Sequence, residues 1–369
     1  MKYLFIVQGE GRGHLTQAMT MEKLLLNHGH QVVGILVGRS PIRKLPEFFE
    51  KGVSSPISFF DSFNFVPSFK NKRPSVFRTV IYNLIHAAEF FPSIRFVTKT
   101  IKETNPDVII NFYELIGSFG YLFSRTKAPE VCIGHQYLLL HKDFNIPEFG
   151  YEGHLALNLY SKMTSMGATE RLALSFRSMP DDPKHRIKVV PPLLRPEVLA
   201  YSRDGIGDQR IVDGDYILGY MLNSGFAHDV MHWHYDHPTT QLRFFWDKHD
   251  AGPVKEYDDT LTFYYLDDKE FLHQMAGCKA YASTAGFESI CEAMYMGKPL
   301  MMVPSHIEQK CNAFDATRFN AAVEAQEFDL SILLDFADNG FSKDEKFPEW
   351  ALSAQEVFIN ALERLSSKR

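Results

Sequence analysis

Cysteine is scarce in this chain. Only Cys132, Cys278, Cys291 and Cys311 occur in 369 residues, with no C-x-x-C pair. Each lies in or near an apolar run, which excludes a disulfide framework or thiolate metal site and suggests reduced core thiols in a cytoplasmic protein. Positive charge is not in excess either. Lys and Arg total 39 against 45 Asp and Glu, a formal net charge of −6, so nothing draws the chain as a whole to nucleic acid. Long apolar runs are also missing. No window reaches the roughly 18 uncharged apolar residues of a membrane span. Even VFRTVIYNLIHAAEFFPSIRFV is broken by Arg78, His86, Glu89, Pro92 and Arg95. The apolar run Tyr3 to Val7 is shorter than the roughly 7 to 15 residues of a signal-peptide core. Export by that route is not expected, and any membrane contact should be peripheral.

What is present is an alternation. Hydrophobic residues make up 45% of the chain, ample for packed cores at a length that suggests two domains. Strand-like runs KYLFIV, QVVGILVG, PDVIINF and EVCIGHQ are separated by helix-length segments, among them a helix expected from about Thr16 to Asn27. Strands alternating with helices imply right-handed βαβ units and a parallel sheet. At VVPPLLRPEV, Pro191, Pro192 and Pro196 exclude a helix interior or central strand and suggest a linker. The pattern then restarts with YILGYML, QLRFFW, LTFYYL, AGCKAYAST and KPLMMVP. The expected division is a first α/β domain over 1–190, a linker over 191–205, a second α/β domain over 206–346, and a single terminal helix over 347–369 returning to the first domain.

Ligands of open parallel sheets bind beyond the carboxyl ends of strands, at helix N-termini. VQGEGRGHLTQA occupies such a place, with Gly9, Gly11 and Gly13 after the first strand. It resembles a dinucleotide fingerprint but has His14 where the third glycine belongs, and the second strand ends in LVGRS without an acid. Arg39 keeps an NADP reading open. His14 instead suits a general base, since imidazole titrates near neutrality. Glu114, after PDVIINF, could orient it or be the base itself, and His135 in GHQ could line the same crevice. Gly11, Arg12 and Gly13 complete an acceptor or diphosphate loop.

The second half holds the more informative segment, STAGFESICEAMYMGKPLMMVPSHIEQKCNA. Thr284 and Gly286 lie in a strand-to-helix loop, and Glu292 lies deep in the helix that follows. A helix start offers N–H groups to a diphosphate, and a carboxylate beside the cleft can accept ribose hydroxyls.

Together, the His14 turn and this segment resemble glycosyltransferases of the GT-B type, in particular the bacterial peptidoglycan N-acetylglucosaminyltransferase and UDP-glycosyltransferase group. The resemblance implies two Rossmann-like α/β domains facing across a cleft. It further implies a UDP-sugar donor held mainly by the second domain and a hydroxyl acceptor held by the first. Glu292 matches the ribose-binding carboxylate; Thr284, Gly286, Phe287 and Ser289 match the phosphate loop and helix start. Gln309, near Asn312, matches the glutamine that reads the donor sugar. Asn223, Ser224 and Gly225 match the small-residue loop near the diphosphate, and Tyr265 and Leu266 the segment whose backbone reads the uracil edge. Glu10 and Arg12 depart from the usual double-glycine opening, and Glu288 stands where an apolar residue is common.

No metal and no cofactor are expected, because helix dipoles can stabilise the departing diphosphate. His228 and His232, at i, i+4 spacing, lack the further ligands of a zinc site. Residues 66–102 hold seven Lys or Arg and one acid among several aromatics, a composition suited to anionic headgroups and a lipid-linked acceptor. A nucleotide-sugar epimerase and a non-catalytic sugar-nucleotide-binding protein remain the alternatives.

Overall fold

The computed structural model describes residues 1–39, 45–63, 87–144, 151–202, 209–221, 224–246, 248, 252–318 and 320–366. Among these residues the chain divides into two compact units. One runs from Met1 to Leu193 with Trp350 onward, the other from Leu194 to Glu349.

The first unit is built on seven parallel strands: β1 (Lys2–Gln8), β2 (Gln31–Arg39), β3 (Ile57–Asp61), β4 (Val108–Phe112), β5 (Glu130–Gly134), β6 (Glu170–Leu174) and β7 (Ile187–Val190). Their order is β3-β2-β1-β4-β5-β6-β7. The central strands read as continuous apolar runs because both sheet faces are covered. Tyr3 to Val7 of β1 and Val108 to Ile110 of β4 are fully buried. Strand order reverses between β1 and β4, which makes the ends of these two strands the switch point where ligands of such sheets bind.

The helix after β1 spans Arg12–Asn27, four residues longer at its start than the sequence pattern suggests, with Gly11 as its N-cap. Gln8, at the end of β1, accepts the Gly11 N–H at 3.2 Å and so supplies the cap that glycine lacks. Gly9 serves packing. Its N–H donates to the Gly38 carbonyl at 2.7 Å, and a Cβ at position 9 would sit 2.7 Å from that oxygen and 2.8 Å from Val37 Cγ1.

The second unit opens with a small parallel ladder, β8 (Tyr201–Ser202) with β9 (Gln209–Arg210). Its main sheet contains β10 (Ile217–Tyr220), β11 (Leu242–Trp246), β12 (Val254–Glu256), β13 (Leu261–Tyr265), β14 (Ala280–Ser283), β15 (Leu300–Met302) and β16 (Ala322–Glu324). The order is β12-β13-β11-β10-β14-β15-β16. All pairs are parallel except β12 with β13. The switch point lies between β10 and β14. Phe244, Trp246, Phe263 and Phe328 fill the core on one side of this sheet.

Two expectations change. The proline-rich segment begins in edge strand β7 and contains the short helix Pro196–Leu199, which proline opens because the first helical position needs no N–H donor. The terminal segment is two helices, Phe347–Leu352 and Ala354–Ser366, interrupted at Ser353, whose hydroxyl turns back to the Trp350 carbonyl. Trp350 donates its indole N–H to Ser175 O at 3.0 Å, and Arg364 pairs with Glu170, so the chain from Trp350 onward packs on the first unit. Strand β12 gave no sequence signal because all three of its residues are exposed. Of the basic aromatic stretch 66–102, residues 66–86 lie outside the described residues. No helix among the described residues is long and apolar enough to cross a membrane.

Because backbone rather than a flexible side chain meets the added methyl, Gly9→Ala should destabilise the first unit by about 1–3 kcal/mol. Thermal unfolding monitored by circular dichroism would show a lowered midpoint; an unchanged midpoint would contradict this packing role.

Candidate functional site

In the first unit the candidate site is built on the segments that follow β1 and β4. His14 lies in the first turn of the helix Arg12–Asn27 and is mostly buried, so it belongs to the helix rather than to the preceding loop. Its ring stacks on Tyr113, with centroids 5.5 Å apart and planes 22° from parallel. Tyr113 holds a left-handed backbone at φ 60°, a conformation costing on the order of 1–3 kcal/mol unless its surroundings impose it.

Those surroundings are specific. The Tyr113 hydroxyl shares a 2.7 Å hydrogen bond with Ser161 Oγ. The ring also meets Tyr137 and Tyr160 edge-on. Asn111, at full burial on β4, accepts the Glu114 N–H at 2.8 Å and donates to the Glu114 carbonyl at 3.1 Å. The same amide nitrogen donates to Glu130 Oε1 at 3.1 Å. A buried carboxyl on β5 thus orients an amide on β4, and that amide fixes the turn presenting Tyr113 to His14. Tyr113, Asn111, Ser161 and Glu130 escaped sequence reasoning, for a positive φ at tyrosine leaves no mark in the residue pattern.

Glu114 has a different role from the one its position suggested. It is the N-cap of the helix Leu115–Ser124, accepting the Gly117 N–H on Oε2 while Ser62 donates to Oε1. A methyl on Gly38 would meet the same carboxyl, which shows how tightly β2 encloses it. Glu114 is therefore a buried cap. His135, too, is withdrawn: its Nδ1 donates to Leu174 O at 2.7 Å and its ring packs on Phe176. Arg39, the residue that kept NADP open, stacks over the Phe59 ring at 4.0 Å, and Arg12 lies over Phe48 at 4.4 Å.

In the second unit, Ser224 and Gly225 form a single 3-10 turn after β10, while Asn223 lies outside the described residues. After the adjacent β14 come Thr284, Ala285 and Gly286. Thr284 donates its N–H to Tyr220 O at 3.2 Å, and Ala285 is left-handed at φ 65°. Asn312 holds that strained residue by donating to its carbonyl at 2.9 Å. Gly286 then caps the helix Phe287–Tyr295 without a side chain of its own, and its Cβ direction is open, with only Ser289 Oγ near at 3.9 Å. Ser289 folds back onto Gly286 O.

Three donor assignments are narrowed. Phe287 buries its ring in the core, so only its backbone belongs to the helix start. Tyr265 and Leu266 donate their N–H groups to Pro253 O and Trp246 O, so any reading of a base edge by this backbone falls to its carbonyls. Gln309 gives its side-chain oxygen to the Ser305 N–H and hydroxyl, at 2.8 and 2.7 Å, and only its amide nitrogen is uncommitted. Glu292 is buried and ion-paired to Arg195. The turn at Asp213–Asp215, just before β10, is tied into the fold through Asp213, which pairs with the buried Lys298 at 3.0 Å. No group of three metal-ligating side chains occurs among the described residues.

A family model described as glycosyl transferase family 1 matches residues 1–339. The chain belongs to glycosyl transferase family 1. No curated protein sequence matches it. Solved structures similar in fold include the glycotransferase of kitacinnamycin, 13% identical over 98% of each chain with a TM-score of 0.66. Arabidopsis thaliana UGT89C1 complexed with UDP is 14% identical, covering 100% of this chain and 99% of that one, with a TM-score of 0.63. The glycosyltransferase VinC in complex with dTDP is 14% identical over 100% of both chains, with a TM-score of 0.61. The two α/β sheets are those of the GT-B glycosyltransferases.

Two buried carboxyls of this glycosyltransferase flank Asn111. Burial pushes Glu114 up to about 7 despite hydrogen bonds from Ser62 and Gly117. It pushes Glu130 up to about 8, with Asn111 and Arg171 pulling the other way. Both values exceed the ordinary 4.5, so the folded state retains protons that the unfolded chain has lost. Their stabilising contribution is complete below about 4.5 and declines as pH rises through 7 and 8. Glu130→Gln mimics the protonated form, since Oε2 of Glu130 has no hydrogen-bond partner. The variant should flatten the fall in melting temperature between pH 5 and 8 and melt several degrees above the parent at pH 8. An unchanged pH slope would show that Glu130 ionises freely.

Proposed function

We propose that this glycosyltransferase transfers a sugar from a UDP-sugar to an acceptor hydroxyl, with His14 as the general base. The observation that carries the catalytic assignment is the His14 ring held on Tyr113 at the β1/β4 switch point, while neighbouring Glu114 is committed as a helix cap. Imidazole accepts the hydroxyl proton as the acceptor oxygen bonds to the anomeric carbon. The bond from that carbon to the diphosphate breaks, and the electron pair leaves with UDP. In the second unit, N–H groups of the helix starting after Gly286 receive the diphosphate charge, in place of a metal ion. Glu292 takes ribose hydroxyls, and Gln309 retains an amide donor for the sugar. UDP in UGT89C1 and dTDP in VinC support a pyrimidine nucleotide as the leaving group; we favour uridine.

The acceptor carries an apolar portion in this reading. The helix Tyr151–Met163 brings Tyr160 against Tyr113, and the same helix leaves Leu155 and Leu159 exposed. Phe91 is exposed as well, beside the exposed cations Arg95, Lys99 and Lys102. Such exposed apolar and basic side chains suit peripheral contact with an anionic membrane bearing a lipid-linked acceptor, as in the peptidoglycan glycosyltransferase group.

His14→Ala should reduce transfer by about 10²–10⁴-fold while UDP still raises the melting temperature as in the parent. Glu114→Gln, which can preserve the cap, should keep most of the activity; its loss would make Glu114 the base. Epimerised donor formed without acceptor would overturn the transferase reading, and activity abolished by EDTA would overturn metal independence. In flotation with vesicles, the protein should rise with anionic lipid and not with neutral lipid alone. Failure to rise with either would remove the membrane assignment.

A further inference from the structure

Glu292 lies in the second turn of the helix Phe287–Tyr295 with only 3% of its surface exposed. Arg195 approaches it with two nitrogens. Nε donates to Glu292 Oε1 at 2.8 Å, and Nη2 lies 2.7 Å from the same oxygen. The third nitrogen, Nη1, is 3.6 Å from Asp268 Oδ1. Both short contacts therefore fall on one carboxylate oxygen, and among the described residues Oε2 takes no hydrogen bond.

The placement of Arg195 is itself anchored. It is the N-cap residue of the short helix Pro196–Leu199, whose Leu199 carbonyl accepts the Tyr295 hydroxyl at 3.4 Å. Tyr295 is three residues beyond Glu292, so segment 195–199 is fastened at two points along one helix. We infer that Arg195 is a positioning residue for the donor nucleotide, fixing Glu292 by Oε1 so that Oε2 is left to accept ribose hydroxyls. The inference rests on Glu292 being the ribose carboxylate.

The electrostatics make such a partner necessary. Burial raises the pKa of Glu292, Asp268 and Glu197 raise it further, and Arg195 alone lowers it. The remaining titratable neighbours, Tyr281 and Cys291, stay protonated because burial raises them as well. Without Arg195 the carboxyl would hold a proton at higher pH and rotate freely. It would then lose both the charge and the aim needed for a pair of hydroxyl donors.

The test compares binding of UDP and of 2′,3′-dideoxyuridine diphosphate by calorimetry at pH 8 and pH 5.5. The parent should prefer UDP. Arg195→Ala should weaken UDP about tenfold or more with little change for the dideoxy compound, and the loss should begin at higher pH than in the parent. Arg195→Lys should recover part of the preference, since it restores the charge but not the two-nitrogen grip. Circular dichroism of each variant checks folding, and the ratio of the two affinities is insensitive to a general loss of stability. Glu292→Gln separates the two levels of the argument. If Glu292→Gln loses the preference for UDP and Arg195→Ala keeps it, the role of Arg195 is overturned while ribose binding stands. If Glu292→Gln keeps the preference, Glu292 is not the ribose carboxylate and both readings fall. Tighter UDP binding by Arg195→Ala would make Arg195 a blocking residue and overturn the inference directly.

Discussion

Asn111 joins two demands that the first unit could not otherwise meet together. Its amide satisfies the Glu114 backbone in both directions and also reaches Glu130, all within the core. Removed from water, such groups cost several kcal/mol unless partnered. This network imposes the left-handed backbone at Tyr113. From it follow the platform under His14, the start of the helix Leu115–Ser124, and the burial of the Glu114 carboxyl against Gly38.

The second unit solves a similar problem in a similar way. There too the chain leaves a central strand, passes through a non-glycine residue at positive φ, and enters a helix. Ala285 takes the strained position and Asn312, from the helix Ile307–Thr317, holds its carbonyl. In each unit a buried asparagine offsets backbone strain at the switch point of a parallel sheet. The products differ. In the first, the turn presents an aromatic ring to a histidine; in the second, it leaves the helix start after Gly286 open, with no side-chain cap. In the proposed mechanism the histidine is the base and the helix end receives the diphosphate.

Charge is managed by enclosure as well. Lys298 is buried yet bonded to Asp213 and to the Cys278 carbonyl, and Arg195 counters Glu292 within the same unit. Buried ion pairs contribute little net stability, but removing one partner is costly because the other charge remains uncompensated. Such pairs fix geometry more than they raise stability.

Sequence alone determined the two parallel α/β sheets. Continuous apolar runs such as YLFIV and VIINF, each followed by turn residues and a helix, are what doubly covered strands require. It also placed Thr284 and Gly286 just beyond a strand end, because that position depends only on local order along the chain, but it left His14 in a loop that the structure makes the first turn of a helix. It left β12 unread, since an exposed edge strand needs no apolar pattern, and it gave Glu114 and His135 to the crevice because strand-end position does not reveal where a side chain turns. Only the tertiary structure decided that Glu114 caps a helix, that Tyr113 carries His14, and that Glu292 shares its carboxylate with Arg195, 97 residues earlier. Each of these depends on contacts between residues on different elements and on backbone angles, quantities set by packing in three dimensions.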